Sequence, residues 1–124
     1  MRLRMLLPLA LAGSALLTAG VGNAFNAKDR FDLKGEVYPN SAFEIEMKNS
    51  ANRALRTVRA GTYRIKVEDE ATIHNFRLVG PGVNRATSIA RRAETIWTVA
   101  LKPGTYRFLC DPHPSMRGSF RVTG

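Results

Sequence analysis

The amino-acid sequence predicts an all-β protein, a β-sandwich of short antiparallel strands. Apolar and polar residues alternate in five segments, which is typical of strands with one face on a core and one face in water. Gly, Pro, Asn and Ser cluster between these segments, as expected of turns. A helical period of 3.6 residues is nearly absent, so short strands joined by turns define the fold class.

The alternating segments predict the strands in chain order. Their inward-facing residues are Phe43, Ile45 and Met47; Tyr63, Ile65 and Val67; Trp97, Val99 and Leu101; Tyr106 and Phe108; and Phe120 and Val122. Residues 75–79 predict a further strand that starts just after His74. Residues 26–37 have few large apolar positions and predict an edge strand. Residues 86–92 suit a short helical turn or a strand equally well.

The tetrapeptide Gly-Thr-Tyr-Arg occurs twice, at residues 61–64 and 104–107. Each copy follows a turn and opens a predicted strand. We therefore expect an architectural role, in which each Tyr hydroxyl bonds back to the backbone as in a tyrosine corner.

Residues 1–24 predict a secretory signal peptide, and residues 25–124 predict the folded domain. Two arginines precede an apolar run over residues 6–17, and a small-x-small sequence ends at Ala24. A membrane anchor is the competing interpretation, but Pro and Gly interrupt the run and a span needs about 20 apolar residues. We expect an exported protein of the bacterial periplasm, without stable membrane insertion after cleavage.

The predicted domain is strongly basic. The chain carries 19 Lys and Arg against ten Asp and Glu, a formal charge of +9. Two basic residues precede the predicted cleavage, which leaves 17 against ten, or +7. This charge predicts a partner with an acidic docking surface. Nucleic acid is not expected as a partner, because an exported protein rarely meets it and the basic residues are spread over alternating strands.

Cys110 is the only cysteine of the chain. It cannot form a disulfide within its own chain, and an unpaired thiol is vulnerable in an oxidising compartment. Either burial or a bound metal ion is expected to protect it.

The residue types that suit a soft, redox-active metal ion are scarce here, and they cluster. Cys110, His113 and Met116 lie three residues apart, and the other histidine of the chain is His74. A thiolate and two imidazoles with a weak axial thioether form the ligand set of a blue-copper electron-transfer site. Taken alone, a buried Cys or Met is usually a core residue. Together these four residues predict one copper ion per chain.

The local spacing supports this ligand set. Cys110 follows Tyr106 and Phe108 at two-residue intervals, so its side chain should point inward at the end of a strand. Two prolines in the segment that follows disfavour a helix. The predicted result is a stiff loop that returns His113 and Met116 to the Cys110 sulfur, while His74 approaches from a neighbouring strand.

At these residues the sequence resembles the cupredoxins, and among them amicyanin and related short plastocyanin-like proteins. Residues 110–118 are similar to the amicyanin ligand loop, with two residues between Cys and His and two between His and Met. His74-Asn75-Phe76 resembles the His-Asn element that supplies the upstream imidazole. The similarity extends over residues 61–122.

The resemblance implies an eight-stranded Greek-key β-sandwich with copper at one end and His113 near the surface as the port for the electron. It also implies that Asn75 links the segment of His74 to the Cys110 loop through Asp111, where many relatives have Ser or Thr. Residues 77–89 do not follow amicyanin, so the partner of amicyanin is not carried over.

We expect a one-electron carrier that cycles between Cu(II) and Cu(I), and not an enzyme. The alternative is a periplasmic copper-binding protein for delivery or sequestration, which would favour several Met or His for exchangeable ions. Multicopper oxidases and copper nitrite reductases need more than two histidines. A Cys–His hydrolase would need an oxyanion site that the loop does not offer, and a Met ligand would be unusual for zinc.

Overall fold

The computed structural model describes residues 27–124, and the predicted signal peptide lies outside this range. A 3-10 helix over Ala27–Asp29 precedes nine strands in the described part of the chain. The strands are β1 (Leu33–Val37), β2 (Ile45–Asn49), β3 (Thr57–Arg59), β4 (Gly61–Asp69), β5 (Arg77–Gly80), β6 (Val83–Ala86), β7 (Ala93–Leu101), β8 (Gly104–Leu109) and β9 (Arg117–Thr123). The predicted all-β class is confirmed, with nine strands where about eight were expected. Nowhere in residues 27–124 does a helix reach the length and apolar character that a membrane crossing requires.

The strands form two sheets that enclose one core. The four-stranded sheet has the order β2-β1-β4-β7, and the five-stranded sheet has the order β3-β9-β8-β5-β6. The pairs β1–β4 and β3–β9 are parallel, whereas the other pairs are antiparallel. Parallel neighbours cannot be joined by a tight hairpin, so the chain crosses between the sheets and closes a sandwich.

The prediction of an edge strand near the start of the domain is wrong. β1 lies between β2 and β4, so it is an interior strand. Its alternation is complete, with Leu33, Gly35 and Val37 buried and Lys34 and Glu36 on the outer face. The segment looked polar because its outward residues belong to a charged network and its central inward residue is a glycine.

The strand that follows His74 starts two residues later than predicted, at Arg77. Before it, the backbone of Phe76 bonds to Thr87: the Phe76 amide donates to the Thr87 hydroxyl at 2.8 Å, and the Thr87 amide donates to the Phe76 carbonyl at 2.9 Å. These two contacts take the place of regular strand pairing before Arg77. Thr87 itself lies just after β6, and residues 87–92 form neither a helix nor a strand.

Both Gly-Thr-Tyr-Arg copies open strands, β4 and β8, as predicted. The Tyr63 hydroxyl donates to the Arg59 carbonyl at 2.6 Å, and the Tyr106 hydroxyl donates to the Pro81 carbonyl at 2.7 Å. The predicted bonds back to the backbone are therefore present. They hold the starts of these two strands against preceding segments of the chain.

Apolar side chains from both sheets fill the interior. Phe76 stacks on Phe108 with ring centroids 6.2 Å apart, and Tyr106 stacks on Phe120 at 5.4 Å. The buried core residues also include Leu33, Val37, Met47, Ile65, Val67, Leu78, Trp97, Val99, Leu101 and Val122. Since every second side chain of a strand points inward, the core residues follow the alternation of the sequence.

The outer face of the four-stranded sheet carries a network of ion pairs, here called the charged ladder. It consists of Lys34, Glu36, Glu46, Lys48, Lys66, Glu68 and Glu94. Lys34 contacts Glu36 of its own strand, β1, at 2.5 Å and Glu68 of β4 at 2.8 Å. The second contact joins two neighbouring strands. Opposite charges therefore compensate one another across this face.

Candidate metal centre

The hairpin formed by β8 and β9 holds Cys110 and Met116 at one end of the sandwich. Cys110 comes directly after β8 and is fully buried, as its spacing from Tyr106 and Phe108 predicts. Its amide donates to the Met116 carbonyl at 3.0 Å, which continues the hairpin ladder beyond its last strand pair. Met116 is 3% exposed. Both sulfur-bearing side chains are thus buried at the closed end of one hairpin.

His113 is placed by the loop between these two residues. The Met116 amide donates to the His113 carbonyl at 2.9 Å, which closes a tight turn. Pro112 and Pro114 on either side of His113 are exposed, whereas the imidazole is half-buried. Because each proline restricts its own φ and the conformation of the preceding residue, the loop is stiff.

His74 comes from a separate segment and is fully buried. Its Nε2 lies 3.3 Å from the carbonyl of Asn40, which can only accept a hydrogen bond, so this contact favours a proton on Nε2. The unprotonated Nδ1 then faces the interior of the site. Asn40 is held in turn by Thr72, whose amide donates to the Asn40 side chain at 2.7 Å. The backbone around His74 therefore favours the tautomer that can bind a metal ion through Nδ1.

The three donor atoms converge on one point. His74 Nδ1 lies 2.9 Å from His113 Nδ1, and Cys110 Sγ lies 3.8 Å from the first and 3.7 Å from the second. A point equidistant from all three atoms lies about 2 Å from each, within the range of metal–nitrogen and metal–sulfur bonds at about 2.0–2.3 Å. This triangle fits a single transition-metal ion.

The chemistry of the donors narrows the kind of ion. A thiolate with two neutral imidazoles suits copper better than the hard cations, which prefer oxygen ligands. No carboxylate shares the cluster that His74, Cys110 and His113 form in residues 27–124. Met116 lies in the same loop, its side chain is buried, and its backbone bonds to Cys110 and His113, so a soft thioether is the fourth candidate donor.

Asn75 and Asp111 connect the two segments that carry the donors. The Asn75 side-chain amide donates to Asp111 Oδ2 at 2.8 Å, and the Asp111 backbone amide donates to Asn75 Oδ1 at 2.8 Å. The contact implied by the resemblance is therefore present, and it is reciprocal. It fixes the neighbours of His74 and Cys110 relative to each other.

Arg77 neutralises the carboxylate of Asp111. Its guanidinium donates from Nε to Oδ1 at 2.7 Å and from Nη2 to Oδ2 at 2.8 Å, a bidentate ion pair. The hydrogen bonds from Arg77 hold the pKa of Asp111 below its ordinary value. Asp111 therefore remains a carboxylate, and its charge is compensated next to Cys110.

Phe43 packs against both histidines from the outside. Its ring centroid lies 5.1 Å from that of His74 and 5.1 Å from that of His113, edge-on in each case. The side chain is 58% exposed, so it forms part of the surface above the imidazoles. The sequence pattern placed Phe43 in a strand, but β2 begins at Ile45.

Sequence reasoning missed four contributors to the site: Asn40, Phe43, Arg77 and Thr87. Asn40 acts through a backbone carbonyl, which no residue type reveals. Arg77 and Thr87 are ordinary polar residues. The partner of Arg77, Asp111, lies 34 residues away in the chain, and the Thr87 hydroxyl donates to Asp69, 18 residues away. The alternation of the sequence placed Phe43 on the inward face of a strand, so it gave no signal for an exposed ring beside the two histidines.

No family model matches the sequence, and no curated protein matches it. Solved structures do match the fold. A rusticyanin structure, described as that of a copper protein, superposes with a TM-score of 0.55 at 17% identity, over 74% of this chain and 76% of that chain. A structure of reduced rusticyanin gives 0.53 at 19% identity, over 74% of this chain and 78% of that chain. Reduced auracyanin from Roseiflexus castenholzii gives 0.50 at 19% identity, over 73% of this chain and 95% of that chain. The β-sandwich therefore has the cupredoxin fold.

Proposed function

We propose that this chain is an exported member of the cupredoxins, a type 1 copper protein that carries one electron at a time. The proposed ligands are His74, Cys110, His113 and Met116. The observation that carries the proposal is the triangle of two Nδ1 atoms and one Sγ, with sides of 2.9, 3.7 and 3.8 Å. The likeness to rusticyanin and auracyanin in fold supports it.

A bound copper ion would supply the Cu(II)/Cu(I) couple, and the protein would supply the fixed geometry. Cys110 would bind as a thiolate, the two histidines through Nδ1, and Met116 as a weakly bound thioether. The hydrogen bond from His74 to Asn40 and the bonds between Asn75 and Asp111 hold the donors in place independently of the metal. A ligand set that cannot rearrange suits both oxidation states, which favours fast electron transfer.

His113 is the proposed port for the electron. It is half-buried between two exposed prolines, whereas His74 and Cys110 are fully buried. A partner that contacts the loop would therefore approach the copper through the His113 imidazole.

The burial of the donors favours a carrier over a delivery or sequestration protein. Rapid hand-over of copper needs donors that a second ligand can reach, and Cys110 and Met116 are 0% and 3% exposed. A carrier should exchange electrons far faster than it yields copper to a competing chelator. Copper loss at rates that match electron exchange would instead indicate delivery.

Addition of Cu(II) to the folded protein should produce an intense thiolate-to-copper absorption with a stoichiometry of one ion per chain. Cys110→Ser should abolish the absorption, because the thiolate is the chromophore's donor. Absorption spectroscopy and metal analysis measure both results.

Met47→Leu is the matched control, because Met47 is a buried methionine of β2 and the exchange conserves volume. It should leave the absorption intact, whereas Met116→Leu should change its position or intensity. A folded protein that remains colourless with Cu(II) would overturn the proposed function.

A further inference from the structure

The two sheets differ sharply in charge. The strands of the five-stranded sheet contain six arginines and no lysine, aspartate or glutamate. The strands of the four-stranded sheet contain four basic residues against five acidic residues. The excess positive charge is therefore concentrated on one side of the sandwich, opposite the charged ladder.

Three of these arginines, Arg107, Arg117 and Arg121, form what we call the arginine face. All three are exposed on the outer side of β8 and β9. Arg107 is paired in register with Ser119, and Arg117 with Leu109. None of the three makes an ion pair within residues 27–124, in contrast to Arg77, which Asp111 neutralises.

The arginine face reaches the loop that carries the metal donors. Arg107, Leu109, Arg117 and Ser119 line a shallow concavity together with Pro114, the residue after His113. Leu109 directly precedes Cys110, and Arg117 directly follows Met116. Alternation along β8 and β9 therefore places the two sulfur donors inside the sandwich and the concavity outside, at the same end of the hairpin.

We propose that the arginine face is the docking surface for an acidic protein, the redox partner of the proposed carrier. This inference rests on the proposed function and adds the place of contact. Guanidinium groups bind carboxylates in bidentate fashion, so uncompensated arginines fit a surface rich in Asp and Glu. A partner held against Pro114 would lie beside His113, where the electron is proposed to leave.

A protein surface fits the arginine face better than an anionic membrane. Membrane-surface sites combine basic residues with large apolar side chains that insert between lipids. The exposed large apolar residues of the described chain are Phe43, Ile73 and Ile89, and none lies in the five-stranded sheet. The arginine face has charge to attract an acidic surface and no group to anchor in a bilayer.

The test compares two double variants with the same change in net charge. Arg107→Gln with Arg117→Gln alters the arginine face. Arg53→Gln with Lys102→Gln is the control, because both residues are exposed and lie outside the strands. Lys102 precedes β8, at the end of that strand opposite Cys110.

The first readout needs no copper. A peptide of ten glutamates is titrated into the folded protein at low ionic strength, and amide shifts are followed by NMR. We expect shifts centred on residues 107, 109, 117 and 119, and binding weaker by about fivefold in the arginine-face variant than in the control. Equal affinities in the two variants, or shifts centred elsewhere, would overturn the proposal. The proposal would also be overturned if the protein bound phosphatidylglycerol vesicles through these arginines but did not bind the peptide.

The second readout uses the copper-loaded, reduced protein with hexacyanoferrate(III). One electron passes from Cu(I) to Fe(III), which leaves Cu(II) and Fe(II). We expect the arginine-face variant to react about threefold or more slowly than the control at low ionic strength, and equally fast at high salt. Equal rates at low salt would count against the arginine face as the docking surface, but not against the proposed function. Failure to bind copper would count against the proposed function and leave the peptide result to be judged separately.

Discussion

Asn75 lies wholly inside the protein, and its carboxamide joins the chain segments of His74 and Cys110. It donates to Asp111 Oδ2 and accepts from the Asp111 amide, each at 2.8 Å. Removal of this side chain would leave a backbone donor without its partner and would separate the two segments. The residue therefore contributes both to stability and to the spacing of the donor atoms.

Asn75→Ala should lower the free energy of unfolding of the metal-free protein by about 2–3 kcal/mol, because a half-buried amide loses its acceptor and the site loses packing. Urea denaturation followed by fluorescence measures the change. Asn84→Ala is the control, since Asn84 is exposed and accepts one bond from Arg77 at 2.8 Å. A loss at position 84 as large as at position 75 would contradict this account.

Phe43→Ala should speed the loss of copper to a chelator by about threefold or more, because the ring shields both imidazoles and the apolar surroundings of a metal site control solvent access. Stability should change by about 1 kcal/mol or less, since the side chain is 58% exposed. Ile89→Ala removes another exposed apolar side chain, 42% exposed, and should leave the rate unchanged. Equal rates in the two variants would show that Phe43 does not shield the site.

At the scale of elements, the β8–β9 hairpin decides where the donors of the loop point. Leu109 pairs with Arg117, and the next backbone bond joins Cys110 to Met116. Because side chains alternate with a period of two, a shift of one residue on either strand would turn the buried side chain of Cys110 or Met116 to the surface. The strand register therefore determines the composition of the site.

The close contact between β1 and the core requires a glycine. A Cβ atom at Gly35 would lie 2.5 Å from Cζ of Phe76, the residue two positions after His74. Because Gly35 has no side chain, the ring of Phe76 can lie against the backbone of β1.

Gly35→Ala should destabilise the protein by about 1–3 kcal/mol, since the added methyl group must displace a buried ring. Gly61→Ala is the matched change in another strand of the same sheet, where the new Cβ would lie at an ordinary 3.6 Å from Cε2 of Tyr63. Chemical denaturation should separate the two variants clearly. Similar stabilities would mean that the Phe76 ring moves without cost.

At the scale of the whole molecule, the charged ladder makes stability depend on pH. Burial opposes ionisation of Glu36 and Glu68, but hydrogen bonds and charge from the neighbouring lysines bring the pKa of each below the ordinary value of 4.5. The unfolded chain then binds more protons than the folded protein as the pH falls. The stabilisation is present above pH 4.5 and is lost as the pH falls through the lower folded pKa values.

The free energy of unfolding should therefore be steady near neutral pH and decrease below about pH 4.5. Glu36→Gln should flatten this decrease, because one of the responsible carboxyl groups no longer titrates. Glu44→Gln changes an exposed carboxyl group outside the charged ladder and should leave the slope as it is. Denaturation series at several pH values compare the three proteins, and equal slopes would contradict the assignment.

The local features of this protein were readable from the sequence alone. Alternation predicted which residues of most strands face the core, since side-chain direction in a strand depends only on position along the chain. Cys110, His113 and Met116 were also readable as three candidate donors of one loop, because they lie within seven consecutive residues. The short strands β3 and β6 escaped detection because three or four residues carry too little alternation.

Tertiary structure decided the features that depend on distant segments. The sequence determined an all-β domain and a donor-rich loop, because alternation and spacing act over a few residues. Only the packed sheets decided that β1 is interior, that His74 Nδ1 lies 3.8 Å from the Cys110 sulfur, and that the Asn40 carbonyl lies 3.3 Å from His74 Nε2. The separation of charge between the two sheets has the same origin: strands far apart in the chain share a face only after pairing has chosen their neighbours.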